Sequence, residues 1–166
     1  MKAMRCVCFL SAIVFVGCST SPRSELGRLR KVDSFELYSL EPFIDPNNTE
    51  ADYDPKGSGE RLHGWRVLGK TTVSDEATRR EVIDALDKGI DPEGRGAKCF
   101  WPRHAIRRMS DDKPVDLLIC FQCGNIEIYR NGKRVGSYSS VSRDVQSTLD
   151  EVLRKADIPL AKKPKD

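Results

Sequence analysis

Cys99, His104, Cys120 and Cys123 are the residues whose types and spacing could do chemistry. Cys120-Phe121-Gln122-Cys123 is a Cys-x2-Cys pair, a common zinc spacing. Adding Cys99 and His104 completes a tetrahedral set of three thiolates and one imidazole. Against zinc, such pairs usually sit on turns, whereas Cys120 ends the apolar run Val115-Asp116-Leu117-Leu118-Ile119. Read as a reactive dithiol, the pair lacks a following helix whose N-terminus would activate the first thiol. A cysteine nucleophile with His104 as its base lacks an evident orienting carboxylate. The remaining reading is structural: a Cys99–Cys123 or Cys99–Cys120 bridge, or buried thiols. Three cysteines outside the N-terminal region imply one bridge and a leftover thiol, or no bridge. Arg103 and Arg107, four residues apart, share one face of a strand and His104 takes the other. The two arginines form a candidate anion site, set against the plainer reading of a solvated strand face.

These residues must be positioned by strands. Cys99–Met109 and Val115–Cys123 are apolar runs flanking the polar loop Ser110-Asp111-Asp112-Lys113-Pro114. A hairpin closed near residue 111 sets Cys99 opposite Cys123 and Pro102 opposite Cys120. Ile126–Arg130 alternates with period two and runs into Asn131-Gly132, the dipeptide that best tolerates a type I′ turn. Gly124-Asn125 marks a bulge or tight turn before it. Upstream, 33–41 and Leu62–Val73 read as strands, with Trp65 and Trp101 as core or rim aromatics. Ser74 is a candidate N-cap for a helix with Asp75 and Glu76 in its first turn and an apolar face of Ala77, Val82, Ile83 and Leu86. Gly89 is placed to end it, with Ile90 as the hydrophobic partner beyond. Ser142 can cap a second helix, in which Val145, Leu149, Val152, Leu153 and Ala156 recur at helical spacing. The loop 41–60 contains Asp52-Tyr53-Asp54-Pro55-Lys56-Gly57, but Lys56 and His63 stand where a calcium loop needs oxygen ligands. The expected fold is a small α+β domain, a mainly antiparallel sheet with two packed helices.

The N-terminus carries an address. Lys2 and Arg5 precede the apolar stretch Cys6–Val16, which has signal-peptide length and falls short of the roughly 20 residues of a membrane-spanning helix. Phe15-Val16-Gly17-Cys18-Ser19 resembles a bacterial lipobox, with Phe15 where leucine is usual. That implies lipidation of Cys18, export and membrane anchoring in the bacterial cell envelope, with ordinary secretion or an uncleaved anchor as alternatives. Ser19 lacks the acidic character of an inner-membrane retention signal, which favours the outer membrane. The expected divisions are signal peptide 1–17, lipidated Cys18 and tether 18–32, domain 33–161 and basic tail 162–166. The full chain holds 28 basic and 25 acidic residues, and Lys2 and Arg5 are lost with the signal peptide. The near-balanced remainder gives no reason to expect nucleic acid. The lysines of the tail read as a frayed terminus more than as a lipid-headgroup contact.

Cys99-Phe100-Trp101-Pro102-Arg103-His104-Ala105-Ile106-Arg107, Val115–Cys123 and Leu62–Val73 together resemble a family of uncharacterised exported bacterial proteins. The resemblance covers roughly 35–160 and carries over no activity. The functional expectation is an envelope lipoprotein acting as a binding or structural module, with no cofactor required. The alternative is a thiol-redox or zinc-dependent enzyme built on Cys99, His104, Cys120 and Cys123.

Overall fold

The computed structural model describes residues 21–42, 59–91 and 94–162. The signal and lipidation residues, including Cys18, and the calcium-like segment 52–57 lie outside them. The described chain runs α1 (Pro22–Leu29), β1 (Phe35–Glu41), β2 (Arg61–Leu62), β3 (Trp65–Val73), α2 (Glu76–Gly89), β4 (His104–Ser110), β5 (Lys113–Cys120), β6 (Asn125–Arg130), β7 (Lys133–Ser139) and α3 (Val145–Lys155). The strands form one sheet in the order β2-β3-β1-β4-β5-β6-β7, every neighbouring pair antiparallel. The expected α+β architecture is the one observed.

Strand β1 lies between β3 and β4, so those two run parallel to one another. Their connection must cross a face of the sheet, and α2 makes that crossing. Period-two alternation then sorts the side chains. Phe35, Leu37, Ile106, Leu117, Ile119, Ile126 and Ile128 form the main core with Leu26 and Leu29 of α1, Val82, Ile83 and Leu86 of α2, and Leu149 and Leu153 of α3. Tyr38, Leu40, Ala105 and Leu118 take the second face and cluster with Leu62. No helix of the described chain covers that face. Instead the sheet curls until the β2–β3 turn reaches β5 and β6, where the His63 ring stacks on Tyr129 with centroids 3.7 Å apart.

Several local expectations are corrected. Helix α1 falls in the stretch read as tether. Ser21 accepts from the Ser24 amide, the Ser24 hydroxyl answers the Ser21 amide, and Pro22 starts the helix without needing a donor. Leu62–Val73 is not one strand, because His63 (φ 51°) and Gly64 (φ 90°) make a turn between β2 and β3. The strand expected from Cys99 begins at His104. Segment 97–103 is held irregularly instead, with the Asn125 amide donating to the carbonyls of Ala97 and Cys99. The β4–β5 turn is the two residues Asp111 (φ 49°) and Asp112 (φ 59°), which slips the register by one and places His104 opposite Ile119. Asp75, not Ser74, caps α2 through the Thr78 amide. Asp144, not Ser142, stands at the N-cap of α3. Gly89 does end α2, with Ile90 at the cap as expected, but outside the left-handed region. A Cβ there would stand 2.2 Å from Val145 Cγ2, so the glycine is needed for the close approach of α2 and α3. The Asn131-Gly132 turn is as expected, with φ of 48° and 76°.

Candidate functional site

Cys99 and Cys123 are joined in a disulfide with α-carbons 5.8 Å apart, one of the two bridges the sequence allowed. Their sulfurs are therefore not available to a metal, and the four-residue zinc set is not assembled. Cys120 is a free, buried thiol, and its Sγ accepts the backbone amides of Trp101 and Cys123 at 3.3 Å each. The Cys120/Cys123 dithiol reading fails as well, because Cys123 is bonded to Cys99 and not to its near neighbour. His104 pairs with Ile119 across the ladder and shares its face, so Cys120, one residue on, points away from it. Among the described residues no three His, Cys, Asp or Glu side chains group as a metal would require.

The orienting carboxylate for His104 exists, 46 residues away in α3: Nε2 stands 2.8 Å from Asp150 Oδ1. The ring is 1% exposed and packs edge-on against Phe121 at 5.5 Å. The pair lies under α3 as a buried polar tie between sheet and helix, and Ser39, directly opposite His104 on β1, shares its face. Both residues are 1% exposed, and neither the Ser39 hydroxyl nor His104 Nδ1 has a hydrogen-bond partner among the described residues. Arg103 and Arg107 do not form a shared anion site. The Arg103 guanidinium donates to the carbonyls of Ala161 and Lys162, tying down the chain after α3. Arg107 makes a two-point contact with Asp116, Nε to Oδ1 at 2.6 Å and Nη2 to Oδ2 at 2.9 Å.

That contact belongs to a polar network on the second face. His63 Nε2 reaches the same Asp116 Oδ2 at 2.7 Å. Arg107 also donates to the Tyr38 hydroxyl at 3.4 Å, and Tyr38 donates to Glu36 Oε2 at 2.6 Å. Lys70 closes the chain on Glu36 at 2.8 Å. Burial, reinforced by the Glu36 bond, pushes the Tyr38 hydroxyl up to about 12. Burial would raise the Glu36 carboxyl, but Lys70 and Tyr38 outweigh it and hold it below its ordinary value. Asp116 pushes Arg107 further up. Beside this network Tyr129 donates to Glu127 at 2.8 Å, and burial followed by that bond pushes its hydroxyl up to about 12. Arg134 completes Glu127 at 2.6 Å.

Among the described residues of this face Glu36, Asp116 and Glu127 are each paired with a cation or a donor, and the network holds the curl of the sheet. The Asp116 constellation is absent from the expectations above because His63 and Asp116 lie 53 residues apart and no local pattern joins them. A shallow cleft of about 250 Å³ opens between the end of β3 and the helices α2 and α3, lined by Thr71, Thr78, Glu81, Thr148, Glu151 and Lys155. Glu151 and Lys155 pair within it at 2.8 Å. Among the described residues no helix is long and apolar enough to cross a membrane. No protein-family model, curated protein or solved structure matches this chain.

Proposed function

We propose that this chain is a bacterial envelope lipoprotein, acylated at Cys18, exported and held on the outer membrane, where it serves as a binding or structural module. The observation that carries the reading is the Cys99–Cys123 bridge taken with the N-terminal pattern of base, apolar stretch, small residue and cysteine. A bridged chain suits an oxidising, exported location. A module without turnover is supported by the mutual pairing of Arg107 and Asp116 and by the burial of His104 beneath α3, away from any incoming substrate.

Mass spectrometry of the membrane fraction tests the anchoring. The expected product is an acylated peptide beginning at Cys18, and Cys18→Ala is expected to release the chain from its membrane. A mature protein that retains residues before Cys18 or carries no lipid overturns the reading. For the module, His104→Ala and Cys120→Ser are expected to act on thermal stability. A substrate whose turnover either change abolishes, with the melting curve unmoved, would install the enzyme alternative.

A further inference from the structure

One end of the domain gathers features that concern a membrane. It is the end where β5 turns into β6 through Phe121–Gly124. Arg23, in the first turn of α1, reaches it, since its Nη2 donates to the Ile90 carbonyl at 3.1 Å and Ile90 bridges to Val141 beyond β7. Segment 94–98 is fastened to the same end by the Ala97 amide on the Cys123 carbonyl at 2.8 Å. Arg143 reaches the Gln122 carbonyl at 3.0 Å. The chain leaves for its C-terminal tail here too, where Arg103 holds the Lys162 carbonyl at 3.1 Å.

Among the described residues at this end Arg23, Lys88, Arg95, Lys98, Arg143 and Lys162 are exposed, against the acids Asp91 and Asp144. Trp101, 41% exposed, stands among them with its amide on Cys120. Exposed cations beside a tryptophan suit the headgroup layer of an anionic bilayer, where the indole sits at the interface and the cations meet phosphate. The distance from the proposed anchor agrees. Three peptide steps separate Cys18 from Ser21, the cap of α1, and they span at most about 11 Å.

We infer that this end is a membrane-facing surface that binds the headgroups of anionic phospholipids, with Arg95, Lys98 and Arg143 as cationic contacts and Trp101 at the interface. The inference rests on the proposed acylation of Cys18, which would hold the domain close against the bilayer in one orientation and not on a long leash.

The test uses the full acylated protein in vesicles of phosphatidylcholine, alone or mixed with phosphatidylglycerol. Phosphatidylglycerol should bring quenching of Trp101 by brominated lipid, identified by its loss in Trp101→Phe, and slower amine labelling of Lys98. High salt should remove both effects. Arg95→Glu/Lys98→Glu should remove the quenching while the melting temperature stays unchanged, and each cation is expected to shift the contact equilibrium roughly fivefold. Equal quenching and labelling in both vesicle types overturns the surface and leaves the anchor standing. A Cys18 peptide without lipid overturns the anchor. The unacylated chain is then mixed with the same vesicles, and failure to co-sediment with those containing phosphatidylglycerol removes the surface as well.

Discussion

Nε2 of His63 stands 2.7 Å from Oδ2 of Asp116, in a turn and a strand that lie 53 residues apart in sequence and are separated in the sheet by β3, β1 and β4. With the Tyr129 stack, this contact fastens the first edge of the sheet to its far half. Asp116 is 1% exposed and also neutralises Arg107. Asp116→Ala therefore leaves a guanidinium and an imidazole without their shared acceptor, and the expected loss is about 3 kcal/mol. His63→Ala gives up one hydrogen bond and one ring stack, for a loss of about 1–2 kcal/mol. Urea denaturation midpoints check both. An Asp116→Ala variant as stable as the parent would mean that Asp116 does not hold the β2–β3 turn against β5.

Glu25 governs the acid limb of stability. Its fully buried carboxylate receives Arg108, Arg130 and Arg28. Burial alone would raise its pKa, but the three arginines outweigh it and hold the carboxyl below its ordinary 4.5. The unfolded chain then binds a proton before the folded one does. The stabilisation is complete above 4.5 and is lost as pH falls through the lower folded value. Glu25→Gln should remove this acid-dependent component and cost about 3 kcal/mol near neutrality by leaving Arg108 uncompensated. Melting temperatures across an acid pH series give the comparison.

Tyr38 and Tyr129 set the alkaline limb. Both hydroxyls are raised from 10 to about 12. Between those values the unfolded tyrosines have ionised while the folded ones keep their protons. Stability is therefore full below 10 and declines as pH rises towards 12. Tyrosinate absorbance should show two late steps, of which Tyr38→Phe and Tyr129→Phe each delete one. Early titration of either residue would contradict its burial.

The thiols give a direct count. Native protein should react negligibly with a thiol reagent through residues 21–166, because Cys120 is buried and Cys99 is bridged to Cys123. Denaturation without reductant should release Cys120 alone, and reduction should add the other two. Cys99→Ser is expected to cost about 3 kcal/mol through the opened loop. Release of all three thiols without reductant would show that the bridge does not form.

Features decided by neighbours in the chain could be read from the sequence. Asn131-Gly132 requires two positive φ angles, and its turn is where the dipeptide places it. The facing of Cys99 and Cys123 followed from the hairpin between them, despite the slip that Asp111 and Asp112 introduce. What escaped depends on closure in three dimensions. Gly89 ends α2 where its type suggests, but the contact that demands a glycine there comes from Val145 at the start of α3. Asp150 is an ordinary helix acid until α3 lies over His104. The short α1 buries Pro22, Leu26 and Leu29 as its apolar residues. Its other inward residue, Glu25, looks solvent-facing until Arg108 and Arg130 arrive from the sheet.

The Cys99–Cys123 link also changes how the chain responds to tension. A pull applied between an anchored N-terminus and the C-terminus travels through the link and bypasses the intervening hairpin of β4 and β5. The 24 residue steps between the two cysteines would thus be withheld from the stretched contour, a shortening of about 80 Å relative to the reduced chain. In a force–extension trace the oxidised protein should rupture at that shorter length. Reductant should restore the missing extension, with β4 and β5 parting only then.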